Sequence, residues 1–261
     1  MTVEVENEVS KCEYLENVTY LLLKNSNIVF YKDVPAYNMD ICGKKIINCV
    51  KEACRSNDII LVEYGIEDNI FDIVRSNVKK KKGLLVVLYA DSPLLTPFVI
   101  KECLSLFLTL NVKICRLPRG YIIDLESFNS GRAVAMPQKI GEIYTNEFIP
   151  VNNLYAYKNV QEEMSKRIIA HHIENGVIFR DGNTVQIDFD VKIGKGTVIF
   201  PNNYIYSASE IGEDCVLLPN NVVISSKIGA NCTLCGAYLK NAQISKKTTI
   251  QAFERVEEES R

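Results

Sequence analysis

Seven apolar residues stand at strict six-residue spacing: Ile187, Ile193, Ile199, Ile205, Ile211, Leu217 and Val223. The series continues at Ile228, Leu234, Leu239, Ile244 and Ile250 in steps of five or six. An α-helix repeats every ~3.6 residues and cannot hold that phase. Short strands joined by turns can. The turn formers are present at Gly194, Gly196, Pro201, Asn202, Asn203, Gly212, Pro219, Asn220, Asn221 and Gly229. Three six-residue sides make one coil, which explains the near-repeats KIGKGT, EIGEDC and KIGANC, whose isoleucines Ile193, Ile211 and Ile228 lie 18 and then 17 residues apart. The pattern predicts a hexapeptide parallel β-helix of about three and a half coils from Ile187 to Ile250, with each apolar residue stacked inward on the one a coil below.

Two side features of the repeat follow from the same geometry. Cys215 and Cys232 each stand four residues after an inward isoleucine, a place for a small apolar side chain. Cys232 and Cys235 form the only C-x-x-C, with no second pair and no nearby histidine, so a structural role is expected rather than zinc. The only histidines, His171 and His172, close the helical stretch NVQEEMSKRIIAHHIENG ahead of the repeat. The solenoid therefore shows no general base for acyl transfer.

Upstream, strand and helix alternate. VTYLLL, DIILVEYG and GLLVVLYAD read as strands; GKKIINCVKEAC, EDNIFDIVRSNVKKKK and TPFVIKECLSLFLTL read as helices. The run Leu84–Ala90 is apolar without alternation, as in a parallel strand buried on both faces. Such alternation implies a doubly wound α/β domain. The run Lys79–Lys82 is expected in the last turn of its helix, with Gly83 just past the end. Expected boundaries are residues 1–157 for the α/β domain, 158–175 for a linker helix, 176–250 for the β-helix and 251–261 for a disordered charged tail.

A net charge of −2 over 261 residues leaves no basic footprint for nucleic acid. The longest apolar run is too short to span a bilayer, and the polar, acid-rich opening is unlike a secretory signal. No membrane partner and a cytoplasmic location are expected, with the nine cysteines as thiols. Ligands of doubly wound sheets gather beyond the carboxyl ends of the strands. Asp91 stands there, and the bare pattern leaves two roles open: holding a divalent metal against phosphates, or capping the next helix.

The segment RIIAHHIENGVIFRDGNTVQIDFDVKIGKGTVIFPNNYI closely resembles the junction of the bacterial bifunctional N-acetylglucosamine-1-phosphate uridylyltransferase / glucosamine-1-phosphate acetyltransferase family, whose members make UDP-N-acetylglucosamine. YADSPLLT is similar to that family's G-D-x-P-L-[IL], PVNNLYAY to its G-V-N-[ND]-R, and VPAYNMDICGKKII to its L-P-K-x-L-x-x-[IV]-x-G-[KR]-x-[ML]. The resemblance runs from about Leu22 to Ile250 with one long gap. It implies a shortened, divergent member: a nucleotidyltransferase-like α/β domain, then a short left-handed β-helix that assembles as a homotrimer. It also implies a uridine nucleotide or nucleotide sugar as ligand, and magnesium held by Asp91 and Asn152, which match the family's aspartate and asparagine.

The departures imply weakened chemistry. LLKNSNIVFYKDVPA occupies the place of the family's L-A-A-G-x-G-T-R-M…L-P-K, with Asn25 and Asn27 at the glycines, Val29 at the arginine and Ala36 at the lysine. Glycines there let backbone N–H groups reach phosphate oxygens, and the cations stabilise the phosphoryl in flight. The uracil-reading hairpin and the sugar-binding middle are missing, and Pro118 stands at a sugar-contacting asparagine. The family's acetyltransferase histidine and coenzyme A site lie in coils beyond Ile250. The resemblance thus implies a homologue with reduced or lost turnover and residual ligand binding. The alternatives are an active magnesium-dependent uridylyltransferase with an atypical loop, or a non-catalytic trimeric scaffold.

Overall fold

A computed structural model describes residues 18–110, 112–131, 138–139 and 146–257. The opening segment, on which the signal reading falls, and the last four residues lie outside the described residues. The chain divides into two compact units, Met1–Met39 with Lys45–Val160, and Asp40–Lys44 with Gln161–Arg261.

The first unit is built on a six-stranded mixed sheet. Its strands are β1 (Val18–Lys24), β2 (Ile59–Glu63), β3 (Leu84–Tyr89), β4 (Ile114–Leu117), β5 (Gly120–Asp124) and β6 (Gln138–Lys139), in the order β6-β4-β5-β3-β1-β2. β1 pairs in parallel with both β2 and β3, whereas β5 runs antiparallel to β3 and to β4. The helices are α1 (Ile46–Cys54), α2 (Ile70–Asn77), α3 (Pro97–Leu110) and α4 (Leu125–Asn129), and α5 (Leu154–Glu174) leads out of the unit.

Alternate residues of a strand face opposite sides, and here both sides are covered. Tyr20, Leu22, Val86 and Leu88 share one core with Val50 of α1 and with Ile100 and Phe107 of α3. Leu21, Leu23, Leu85 and Val87 share the other with Val74 of α2 and Leu125 of α4. That is why β1 and β3 lack alternation in sequence; each such leucine contributes roughly 1.5–3 kcal/mol on burial.

The lysine run departs from expectation. α2 starts on an Asn69 cap, whose Oδ1 accepts from the Phe71 N–H at 2.9 Å, and stops at Asn77; Val78 is already extended. Lys79–Lys82 follow outside the helix. Ion pairs hold them elsewhere: Lys80 Nζ lies 2.6 Å from Asp58 Oδ2, and Lys82 Nζ lies 3.5 Å from Glu126 Oε1. Lys80, and then the Thr19 hydroxyl, keep the Asp58 carboxyl below its usual range. With β3 beginning at Leu84, the chain must leave the helix early to enter the sheet.

The second unit is a left-handed β-helix of three parallel sheets with five, five and four strands. The first stacks Ile178–Phe179, Val198–Ile199, Val216–Leu217, Thr233–Leu234 and Thr249–Ile250. The second stacks Gln186–Ile187, Tyr204–Tyr206, Val222–Ile224, Tyr238–Lys240 and Arg255–Glu257. The third stacks Lys192–Ile193, Glu210–Ile211, Lys227–Ile228 and Gln243–Ile244. Of the apolar series read from the sequence, all are buried except Ile244, which is half-buried. Asn202, Asp214, Asn220 and Asn231 turn the corners with φ of 60°, 55°, 68° and 60°, conformations that Asn and Asp tolerate best among residues with a Cβ.

Each corner carries an internal ladder that the sequence reading missed. Thr197 Oγ1 accepts from the Cys215 N–H, Cys215 Sγ from Cys232 N–H, and Cys232 Sγ from Thr248 N–H. Asn203 Oδ1 accepts from the Asn221 N–H, and Asn221 Oδ1 from Ala237 N–H. Ser209 Oγ accepts from the Ser226 N–H, and Ser226 Oγ from Ala242 N–H. Cys215 and Cys232 are therefore acceptors for buried amides as well as small apolar fillers.

Two boundaries differ from the sequence reading. The tail is not disordered through residue 257: Arg255–Glu257 pairs with Tyr238–Lys240, with Val256 opposite Leu239 and Lys240 Nζ 2.9 Å from Glu257 Oε1. One apolar residue between two outward charges is enough to extend a stack already formed below it. The solenoid starts at Ile178, inside the expected 176–250 and one strand ahead of the first inward residue read, Ile187, so the stack exceeds the three and a half coils counted from there. Finally, the hairpin Asp40–Lys44 belongs with the β-helix: Phe189 N–H donates to the Cys42 carbonyl at 2.9 Å, and Lys44 Nζ stands 3.6 Å from the Phe189 ring centre. No helix among the described residues is long and apolar enough to cross a membrane.

Candidate functional site

In the first unit the parallel strands β1, β2 and β3 end at one edge, since Lys24 lies opposite Glu63 and Leu23 opposite Tyr89. Charges there are paired at once. Lys24 Nζ is 2.8 Å from Glu63 Oε1, the Tyr37 hydroxyl donates to the same oxygen at 3.3 Å, and Ser26 Oγ lies 3.1 Å from the Tyr37 hydroxyl. The loop after β1 folds onto itself. Asn25 is buried, and its Oδ1 accepts from the Asn27 N–H at 2.9 Å. An amide that a glycine loop would offer to phosphate is therefore engaged by a side chain. Val29 lies on a short exposed ribbon, Val29–Tyr31, and Ala36 is buried with its N–H on the Ile28 carbonyl.

Asp91 follows β3 and is 6% exposed. Its Oδ2 accepts from Arg119 Nη2 at 2.8 Å, while its Oδ1 is buried without a hydrogen-bond partner. Burial pushes the Asp91 carboxyl above its usual range, and the guanidinium works in the opposite direction. The Arg119 guanidinium stands 4.4 Å from the centre of the Tyr89 ring, which meets Tyr64 edge-on at 5.3 Å. Burial raises the Tyr64 phenol first, then the Asp91 charge; Arg119 and Asn25 offset both.

Arg119 was not singled out by sequence reasoning. It sits in the two-residue turn between β4 and β5, whose last pair is Leu117 with Gly120. Gly120 has φ +131°, and a Cβ there would lie 2.1 Å from the Val87 carbonyl oxygen. The available signal was LPRG between two strand-like runs, which marks a hairpin and places its arginine at the tip.

The capping role for Asp91 is overturned. α3 begins at Pro97, and Thr96 Oγ1 takes the Val99 N–H at 3.3 Å. Asn152 is brought near Asp91 along the backbone, because the neighbouring Val151 N–H donates to the Asp91 carbonyl at 2.8 Å. Its side chain is exposed, and its Oδ1 accepts from Asn153 Nδ2 at 2.8 Å. Asn153 in turn caps α5, its Oδ1 taking the Ala156 N–H at 2.9 Å.

Do these residues suit the magnesium implied by the resemblance? The orphaned Asp91 Oδ1 would welcome a cation. However, magnesium retains several waters, and this atom has no accessible surface to meet a hydrated ion. The carboxylate charge is also already neutralised by Arg119. Two unit charges ~4 Å apart interact by about 4 kcal/mol at an effective dielectric of 20, and a dication facing the guanidinium doubles that repulsion. No cluster of three or more His, Cys, Asp or Glu able to hold a metal occurs among the described residues. As built, the Asp91 site does not fit magnesium.

The second unit offers a groove of about 500 Å³ along its third sheet, where Lys192, Glu210, Lys227 and Gln243 line up beside Gly194, Gly212 and Gly229. Glu210 sits 3.5 Å from both lysines. The groove's titratable groups are Lys192, Glu210 and Lys227, which pair with one another, and no His, Cys or Ser lines it. His172 is buried in the last turn of α5, its pKa lowered by burial and then by His171, away from this groove's lining.

No family model matches the chain. A stretch of 125 residues, 47% of this chain, is 34% identical to the bifunctional protein GlmU of Clostridium beijerinckii and covers 28% of it. Another of 105 residues, 40% of the chain, is 40% identical to the GlmU of Lactobacillus johnsonii and covers 23% of it. A third of 127 residues, 48% of the chain, is 33% identical to the GlmU of Caldanaerobacter subterraneus subsp. tengcongensis and covers 28% of it. The matches thus span about a quarter of the length of these curated relatives. Among solved structures, Rv0371c from Mycobacterium tuberculosis aligns at a TM-score of 0.39 and 11% identity, over 56% of this chain and 98% of that one.

Proposed function

We propose that this chain, a partial and divergent relative of the bifunctional GlmU proteins, binds a uridine nucleotide or nucleotide sugar of the UDP-N-acetylglucosamine pathway at the strand ends of its α/β unit, with turnover reduced or lost. The observation that carries the reading is the loop after β1. Phosphoryl transfer is almost entirely positioning plus electrostatic stabilisation by close N–H groups and fixed cations. Here the Asn27 amide is closed onto Asn25, Lys24 is neutralised by Glu63, and Val29 and Ala36 stand where the resemblance places an arginine and a lysine. Two missing charge-assisted contacts at ~1.5–3 kcal/mol each slow transfer by about 10²–10⁴-fold.

The test combines calorimetry and a pyrophosphate-release assay with UTP, UDP-N-acetylglucosamine and N-acetylglucosamine-1-phosphate, in parallel with a full-length GlmU. Binding with release near background is expected. Release within tenfold of the full-length enzyme, abolished by Asp91→Ala, would refute the reading.

The same proposal gives the β-helical unit a homotrimeric role. Its third sheet, which stacks Lys192, Glu210 and Lys227 along one face, supports this, since a solenoid side with both signs of charge complements another copy of itself. Sedimentation equilibrium is expected to return three chain masses; a monomer at micromolar concentration removes the assembly from the proposal.

A further inference from the structure

The carboxylate at the end of β3 carries its own cation. Arg119 is locked to Asp91 by a 2.8 Å ion pair, backed by the Tyr89 ring, and only 19% of its side chain is exposed. Its position is set by backbone rather than by chance packing, because Gly120 lets the hairpin press against the Val87 carbonyl. A guanidinium has five N–H donors in a fixed fork; the bond from Nη2 to Asp91 uses one, and the Tyr64 hydroxyl engages another. Ring-stacked, largely desolvated arginines of this kind suit planar or tetrahedral oxyanions, and this one meets Asp91 just beyond the carboxyl end of β3, where doubly wound sheets take their ligands.

We propose that Arg119 replaces the divalent cation at this site: the Asp91–Arg119 pair excludes metal, and the remaining guanidinium donors receive the diphosphate of a nucleotide ligand directly. Binding is then independent of divalent ions. The anion half of this inference rests on the nucleotide-binding reading above; the metal half does not. A ligand diphosphate meets Arg119 with Asp91 behind it, so the carboxylate positions the guanidinium rather than touching the ligand. Tyr64, whose side chain interacts with both Asn25 and Arg119, forms the wall next to it.

The experiment uses the full chain and has two arms. In the first, Mn²⁺ is titrated and free ion followed by electron paramagnetic resonance. No binding below about 1 mM is expected for wild type, whereas Arg119→Met, which frees the carboxylate, acquires a site that Asp91→Asn in the same background removes. Submillimolar Mn²⁺ binding by wild type that Asp91→Asn abolishes overturns the proposal. In the second arm, UDP is titrated calorimetrically in EDTA and in Mg²⁺. Affinities within twofold of each other, and a loss of at least tenfold in Arg119→Met in EDTA, are expected. UDP binding that requires Mg²⁺, or that is unchanged in Arg119→Met, overturns the inference while leaving the nucleotide-binding reading intact. Absence of UDP binding under both conditions instead refutes that reading together with the anion half. If Arg119→Met does not fold, Arg119→Lys, which keeps one positive charge but loses the fork, is expected to weaken UDP several-fold; undiminished affinity there counts against the proposal.

Discussion

Asn221→Ala is expected to destabilise the β-helical unit by about 3–5 kcal/mol, a large share of the 5–15 kcal/mol that holds a typical domain together. Asn221 has no accessible surface, and its amide serves both directions of the stack. Oδ1 accepts the Ala237 N–H at 2.8 Å from the coil after it. Nδ2 donates to Asn203 Oδ1 at 2.9 Å in the coil before it, to the Leu218 carbonyl, and to the Leu234 carbonyl at 3.4 Å. Alanine cannot replace any of these, and water cannot enter. The buried Ala237 N–H and the carbonyls pay the full desolvation penalty of unmade hydrogen bonds, about 1–3 kcal/mol each.

The neighbouring Asn220 provides the control. It is exposed and left-handed, so Asn220→Gly keeps the turn and is expected to cost only a few tenths of a kcal/mol. Urea unfolding followed by far-ultraviolet circular dichroism measures both variants. Hydrogen exchange at the Ala237 amide localises the effect, since that proton should lose protection in Asn221→Ala alone. A loss below 1 kcal/mol, or an Ala237 amide as protected as in wild type, would show that the ladder is dispensable.

Gly120→Ala should damage the α/β unit and its ligand site together. At φ +131° no residue with a Cβ is comfortable, and the added methyl would fall 2.1 Å from the Val87 oxygen, where nothing flexible can yield. Strain of roughly 1–3 kcal/mol adds to a backbone shift of similar size, so the expected cost is about 2–6 kcal/mol. The β3–β5 ladder must open locally, because Val87 pairs with Tyr121, the next residue. That movement carries Arg119 off Asp91. A lowered melting temperature accompanied by the acquisition of Mn²⁺ binding is the expected signature. A variant that melts within about 2 °C of wild type would show that the hairpin relaxes freely and that Arg119 is not fixed by its backbone.

The two halves of the chain were legible to different degrees. The solenoid was readable because one physical demand repeats: each coil must place an apolar residue on the one below, so Ile187, Ile193, Ile199 and their successors write the period into the chain. The parallel sheet was readable at β3, where two-sided burial erases alternation, and Asp91 was readable as the carboxylate just beyond its end. The short strand Arg255–Glu257 escaped because only Val256 carries its signal between charges. The lysine run was assigned to a helix end because local preference is blind to Asp58 and Glu126, which hold Lys80 and Lys82 from elsewhere in the chain.

The sequence alone thus determined the architecture, since inward stacking and two-sided burial are properties of spacing and side-chain type. Only the tertiary structure decided what the site contains. Arg119 meets Asp91 across 28 residues through a hairpin that a single glycine allows to close on Val87. Likewise, Cys215, Asn221 and Ser226 become acceptors only because the coil above presents an N–H to each. Partnerships of this kind depend on which groups the folded backbone superposes, and periodicity along the chain carries no record of them.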